Sequence, residues 1–155
     1  MRLLSLLLLC LLPLTARAHD FTLGPLTVEH PWLRATIGTL RNTAGYLTVT
    51  NAGTTAQRLV RVEILGADQV ELHETRDGMM AMVEAVEIPP GGSLVFQPNG
   101  WHPMGGPLNG APKGSDPGEG PLVFEPAGAL PVQFLVAAPD ATEWEINRGA
   151  NSRVE

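Results

Sequence analysis

The sequence predicts a single all-β domain, either a β-sandwich or a Greek-key β-barrel. Short runs rich in Val, Leu, Thr and Phe recur along the chain, and clusters of Gly, Pro and Asn separate them. This pattern is typical of strands joined by tight turns. Helical periodicity is hard to find, and strands at this spacing favour a sandwich or a barrel.

Eight runs have the composition of strands, and all of them are short. Asn-Ala-Gly at 51–53 and Pro-Pro-Gly-Gly at 89–92 are predicted turns. A helical turn is expected within residues 31–37. The predicted strands are residues 26–29, 44–50, 58–64, 69–74, 79–88, 93–97, 122–125 and 132–137.

The stretch from Met104 to Gly120 differs from the rest because it is dense in Gly and Pro. We expect a long loop here, with no regular element. The residues after Pro139 are polar and are predicted to form a C-terminal tail, residues 140–155. The folded domain is therefore expected to span residues 19–139.

The first eighteen residues have the pattern of a secretory signal peptide. Arg2 precedes an almost unbroken apolar run that is too short to span a bilayer, and Ala-Arg-Ala at 16–18 places small residues at a cleavage site. We therefore expect cleavage after Ala18, a mature chain of 137 residues that begins at His19, and a periplasmic location.

Composition excludes several classes of function. Cys10 is the only cysteine and lies within the predicted signal peptide. The mature chain would then have no thiol nucleophile, no Cys-ligated zinc and no blue-copper centre. Leu9 is a poor substitute for the small residue that precedes a lipid-attachment cysteine, so lipidation is not expected.

Charge and hydropathy limit the partners. Loss of Arg2 and Arg17 with the signal peptide changes the formal net charge from −6 to −8. Such an acidic balance argues against nucleic acid and against an anionic membrane as partners. No second long apolar run follows residue 18, so no membrane span is predicted.

The side chains that suit a soft metal are concentrated in one window. In an extended chain residues i and i+2 share a face, so Met80 is expected to point with Met82. Imidazole and thioether ligands suit Cu(I), whereas structural zinc sites use Cys, His or carboxylate. Each of these residues taken singly is more typical of core packing or of an ordinary polar position. It is their concentration in one window that predicts a metal site. The residues of this window are His73, Met79, Met80, Met82, His102 and Met104.

Several stretches together carry a resemblance to a known family. They are VEHPW at 28–32, RAT at 34–36, AGYLTVTN at 44–51, VELHE at 70–74, MAM at 80–82, IPPGG at 88–92 and GWHPM at 100–104. The chain resembles the periplasmic copper chaperones of the PCuAC family over nearly all of its mature length. The resemblance implies a cupredoxin-like β-barrel that carries Cu(I) and supports copper loading of respiratory oxidases.

The family's metal motif is a His, a Met, and then a His-x-Met. On this chain it implies His73, Met82, His102 and Met104 as ligands, with Met80 as the alternative to Met82. Both gaps around Met82 are shorter than is usual in the family, and this paired shortening fits a trimmed hairpin loop. A further Met that usually follows the motif is missing here.

The neighbouring side chains receive more ordinary interpretations. Trp101, beside His102, either shields the metal or belongs to the core. The acids Glu71, Glu74, Asp77 and Glu84 are interpreted as a solvated face, not as a catalytic pair.

We therefore expect a periplasmic Cu(I) metallochaperone and no enzyme activity. Its recipient is expected to be a protein, either a copper subunit of a respiratory oxidase such as cytochrome c oxidase or a thiol-containing assembly factor. Two alternatives stay open: a mononuclear copper or zinc enzyme, which would need an open coordination position and a positioned base, and a metal-free structural β-sandwich.

Overall fold

A computed structural model describes residues 19–109 and 118–142, and every regular element in these ranges is a strand. The predicted all-β class is therefore confirmed. The eleven strands are β1 (Asp20–Leu23), β2 (Leu26–Arg34), β3 (Thr43–Asn51), β4 (Gln57–Val62), β5 (Ala67–Arg76), β6 (Met79–Val83), β7 (Val86–Ile88), β8 (Ser93–Phe96), β9 (Trp101–Leu108), β10 (Gly118–Glu125) and β11 (Gly128–Ala137).

The strands form one continuous sheet that curls into a nearly closed barrel. Its order is β6-β5-β9-β8-β3-β2-β11-β10-β4-β7, with β1 added to β2 and with β9 also pairing β3. Most pairs are antiparallel; β11 with β2 and β8 with β9 are parallel. Consequently β6 lies at one edge of the sheet and is hydrogen-bonded to β5 alone among the described strands.

The core follows from the two-residue alternation of the strands. On β2, Leu26 and Val28 are fully buried, while Thr27 between them is only half-buried. Phe124 on β10 and Phe134 on β11 are the largest of the fully buried side chains and belong to the main hydrophobic core. This apolar interior stabilises the domain without any disulfide in the described residues.

The helical turn expected within residues 31–37 is wrong, because residues 31–34 belong to β2. His30 has a positive φ of 47°, and the register between β2 and β3 shifts between Glu29 and Trp32. The strand therefore contains a bulge, which accommodates Pro31 where a regular ladder would need its missing N–H.

The single strand predicted at 79–88 is two strands. Residues 79–83 form β6 on β5, whereas residues 86–88 form β7 on β4, at the opposite end of the sheet. The chain changes partner at Glu84 and Ala85. Apolar composition alone does not reveal such a change of partner.

The long loop predicted from Met104 to Gly120 is also partly wrong. Residues up to Leu108 belong to β9, and β10 begins at Gly118. A Cβ on Gly105 would lie 3.1 Å from the side chain of Ile64, so a glycine permits this close packing. Residues 110–117 lie outside the described ranges, as do the predicted signal peptide and residues 143–155 of the predicted tail. No helix within the described ranges has the length and hydropathy of a membrane span.

Candidate metal centre

A tight hairpin sets the geometry of the candidate site. Asp77 and Gly78 connect β5 to β6 with positive φ values of 53° and 75°. A two-residue Asp-Gly connection with both φ values positive is a favoured turn for adjacent antiparallel strands. It fixes the register so that His73 lies directly opposite Met82, and Thr75 opposite Met80.

Strand β5 carries His73 between two other candidate ligands. His73 pairs with Met82 of β6 on one side and with His102 of β9 on the other. Directly opposed residues of antiparallel strands point to the same face of the sheet. The structure therefore places an imidazole of β5 in one row between a thioether and a second imidazole.

The remaining candidates follow from the same alternation. Met104 is two residues from His102 and Met80 is two residues from Met82, so both share the face of the row. Met79 occupies the opposite face, as expected. Trp101 also lies opposite, where it packs against the hydrophobic core. Of its two alternative roles, the structure supports packing in the core.

His102 is the more enclosed of the two histidines. It is 7% exposed, and its ring stacks on that of His73 with a centroid distance of 5.9 Å and an interplanar angle of 21°. Its Nδ1 lies 3.0 Å from the carbonyl oxygen of Gly100. A carbonyl only accepts, so Nδ1–H donates and Nε2 keeps the lone pair in the neutral ring.

Burial lowers the pKa of His102 from its ordinary value, because desolvation penalises the charged ring. The hydrogen bond to Gly100 opposes this shift, while the nearby His73 and Arg34 lower the pKa further. The neutral ring, which is the form that binds a metal ion, is therefore favoured over a wider range of pH.

His73 has a different set of partners. Its side chain is 11% exposed, and its Nε2 lies 3.1 Å from Oε2 of Glu71. Its Nδ1 is buried and has no hydrogen-bond partner. If the Glu71 carboxylate accepts from Nε2–H, Nδ1 keeps an unused lone pair. Glu71 was interpreted from the sequence only as part of a solvated face, so its contact with His73 is a finding of the structure.

The methionines of β6 do not fill the core. Met79, Met80 and Met82 are 74%, 51% and 64% exposed, respectively. Met104 is half-buried. Exposed methionines grouped on one short edge strand are unusual for residues that normally pack inside a protein. These side chains are accessible from solvent, which core packing does not require.

Two buried aromatic rings that sequence reasoning did not assign to the site lie beside His102. The Tyr46 ring lies 6.4 Å from the His102 ring, and Trp32 packs on Tyr46 at 4.4 Å. Burial raises the pKa of Tyr46, so its phenol stays neutral. These contacts arise from long-range pairing of β3 with β2 and β9, which no local pattern encodes.

The donor set of this face can be judged by its chemistry. The described residues contain no group of three or more His, Cys, Asp and Glu that is suited to a metal ion. The face instead combines two imidazoles with the thioethers of Met80, Met82 and Met104. The buried, unpartnered Nδ1 of His73 is free to bind a metal ion, and the thioether donors fit a soft, polarisable cation better than a hard one.

The LpqE-like family model, whose description names a lipoprotein, matches residues 26–136. A search of curated proteins found no significant match.

Three solved structures illustrate the likeness. The apo PCuAC domain of PmoF2 is 29% identical with a TM-score of 0.72, over 81% of this chain and 99% of that one. The copper-bound form of the same domain is 28% identical with a TM-score of 0.72, over 79% and 100% of the two chains. Cu(I)-bound DR1885 from Deinococcus radiodurans is 26% identical with a TM-score of 0.62, over 78% and 82%.

These likenesses confirm the cupredoxin-like barrel predicted from the sequence. They also bear out the predicted relationship to PCuAC domains at the level of fold and sequence similarity. The copper in two of these structures belongs to those proteins, and no comparison tests which residues of this chain bind a metal.

Proposed function

The chain belongs to the LpqE-like family and has the fold of PCuAC domains, and from this premise we propose that it binds Cu(I) as a metallochaperone. One observation carries the proposal most strongly: His73 lies in register between Met82 and His102 on a single face of the sheet. The similarity to copper-bound and Cu(I)-bound structures supports the choice of metal.

The ligands in this proposal are His73, Met82, His102 and Met104, with Met80 as the alternative thioether. Thioethers bind without losing a proton, and the lowered pKa of His102 favours the neutral ring. Because of both properties, protonation competes less with the binding of Cu(I). The proposed ligands include no thiolate, which leaves the ion exchangeable and suits a carrier.

Release of copper is proposed to occur at the β6 edge. Met82 is exposed there, whereas His102 is buried beside the Tyr46 ring. A recipient with thiolate ligands can therefore displace the thioether first and take the ion by ligand exchange. We propose a copper subunit of a respiratory oxidase, or a thiol-containing assembly factor, as that recipient.

An extracytoplasmic location agrees with a family described as lipoproteins. We further propose the periplasm, with cleavage after Ala18. Attachment of lipid at Cys10 is the competing possibility, and mass spectrometry of the exported protein distinguishes the two. A chain beginning at His19 supports the proposal, whereas a lipid-modified Cys10 at the amino terminus overturns it.

Metal titration of the purified protein tests the function. We expect one Cu(I) per chain, bound far more tightly than Zn²⁺ in competition with a Cu(I) chelator. Equal or tighter binding of Zn²⁺ would favour the mononuclear enzyme, and no binding of either ion would favour a metal-free β-sandwich. A His73→Asn/His102→Asn double variant that stays folded but loses copper is the matched negative control.

A further inference from the structure

The two histidines of the candidate site form hydrogen bonds through different ring nitrogens. Nδ1 of His102 lies 3.0 Å from the Gly100 carbonyl oxygen, whereas Nε2 of His73 lies 3.1 Å from the Glu71 carboxylate. In the neutral ring, a nitrogen that donates to such an acceptor carries the proton, and the other nitrogen keeps the lone pair. In metal sites, the hydrogen bond at one imidazole nitrogen decides which nitrogen binds the metal.

From this contrast we propose that Glu71 is a positioning residue: it fixes the His73 ring so that Nδ1 faces the copper ion, while His102 uses Nε2. The proposal rests on the proposed Cu(I) function and deepens it. The buried Nδ1 of His73, which has no hydrogen-bond partner, is the second observation that supports it. A nitrogen left unpaired inside a protein is costly unless a ligand engages it.

The place of Glu71 in the sheet agrees with this role. Glu71 lies two residues before His73 on β5 and pairs directly with Met104 of β9. It therefore shares the face of the candidate ligands and borders two of them. Its carboxylate can hold the His73 ring through Nε2 and adds negative charge beside the bound cation.

Glu74 on the same strand provides a matched control. It pairs with Ala81 and Trp101 on the opposite face, and its carboxylate accepts a bond of 2.7 Å from Arg76. Replacing Glu74 removes the same charge from the same strand without touching His73.

The first experiment is ¹⁵N NMR of the imidazole rings in the full chain at about pH 8, where an ordinary histidine is neutral. In the metal-free protein we expect the proton of His73 on Nε2 and that of His102 on Nδ1. Addition of Cu(I) should shift the Nδ1 resonance of His73 and the Nε2 resonance of His102. A Cu(I)-induced shift at Nε2 of His73, with its proton on Nδ1, overturns the proposal.

The second experiment measures Cu(I) affinity by chelator competition in three variants. Glu71→Ala removes the acceptor and should weaken binding by about tenfold or more, the usual effect of losing a ligand's hydrogen-bond partner. Glu71→Gln removes the charge but keeps an acceptor, so it should retain the Nε2–H form and most of the affinity. Glu74→Ala should stay within about twofold of the wild type.

The outcomes separate this inference from the proposed function. Equal losses in Glu71→Ala and Glu71→Gln would show that charge alone matters and would overturn the positioning role. An unchanged affinity in Glu71→Ala would overturn it as well. If the wild-type protein binds no Cu(I), the proposed function fails, and the ¹⁵N spectra of the metal-free wild type and of Glu71→Ala still show whether Glu71 sets the tautomer of His73.

Discussion

The two sides of the candidate site differ in how firmly the fold holds them. On the β5–β9 side, His102 is buried, stacks on His73 and is bonded to the Gly100 carbonyl. On the β6 side, Met80 and Met82 are more than half exposed on an edge strand. The His102 ring on the β5–β9 side is therefore oriented before any ion binds. The methionine side chains on the β6 side keep much of their conformational freedom.

In the proposed copper site, this difference would give the histidines and the methionines unequal roles. A donor whose orientation is fixed loses little conformational entropy on binding, so the histidines are expected to supply most of the affinity. A flexible, exposed methionine loses more on binding, and its thioether is easier for an incoming ligand to replace. The site would hold copper with its histidine side and exchange copper at its methionine side.

The largest expected effect tests the histidine side. Replacement of His102 by Asn removes a proposed ligand whose ring is already positioned. The Cu(I) affinity should fall by more than about 100-fold, beyond the usual cost of changing a residue that only supports a ligand. Chelator competition measures the affinity, and thermal unfolding of the metal-free variant controls for folding. A fall no larger than that of Met82→Leu would remove the proposed distinction between the two sides.

The next effect tests the methionine side. Met82 lies directly opposite His73, whereas Met80 lies opposite Thr75. We expect Met82→Leu to weaken Cu(I) binding by about tenfold, or 1.4 kcal/mol, and Met80→Leu to weaken it less. Leu keeps the volume of the Met side chain, so the free energy of unfolding should change by less than about 1.5 kcal/mol.

The same two variants also report on exchange. If β6 is the exit, Met82→Leu should speed the transfer of Cu(I) to a thiolate chelator more than Met80→Leu does. The opposite order of the two variants, in affinity or in rate, would make Met80 the ligand.

The pairing that creates the site could be predicted only where it is local. Asp77-Gly78 is a strong hairpin signal, and the turn alone brings His73 opposite Met82. The approach of His102 could not be derived in this way, because GWHPMGGPL has the Gly and Pro content of a loop. It becomes β9 because β5 and β3 flank it on both sides, a tertiary effect that overrides local preference.

The supporting contacts were equally hidden from the sequence. The Tyr46 ring lies beside His102 because β3 pairs with β9, and the bond from His102 to Gly100 joins residues that no sequence motif links. Glu71 was visible as an acid two residues from a histidine, but alternation alone indicates a shared face, not a bond. Local pattern thus identified candidate ligands, and long-range pairing decided which of them are held in place.

A smaller effect concerns the pH dependence of the metal-free protein. The pKa of His102 is lower in the folded protein than in the unfolded chain, mainly because of burial. As pH falls below about 6.5, the usual histidine pKa, the unfolded chain takes up the proton more readily than the folded protein. The free energy of unfolding should therefore decrease from there down to the folded-state pKa of His102.

Urea unfolding from about pH 8 to about pH 5 measures this decrease, since the range brackets the usual histidine pKa. The His102→Asn variant should lose this component of the pH dependence while keeping those of other groups. The opposite result would be a free energy of unfolding that rises on acidification in the wild type relative to the variant. It would show that His102 is charged in the folded state. The histidine side would then not be prepared for a metal ion.

The smallest expected effect is that of Met79→Leu, which tests whether position on the correct face matters more than exposure. Met79 is the most exposed of the three β6 methionines, at 74%, but it pairs with Arg76 and lies on the face opposite His73. If accessibility of a thioether were sufficient for binding, Met79→Leu would weaken Cu(I) binding at least as much as Met82→Leu. Because alternation along β6 directs Met79 away from both histidines, we expect an affinity within about twofold of the wild type and an unchanged unfolding midpoint.

The comparison uses identical chemistry at two positions of one strand, so any difference reports on register alone. A damaging Met79→Leu with a harmless Met82→Leu would mean that β6 shifts by one residue when copper binds, and the row of Met82, His73 and His102 would no longer describe the loaded site.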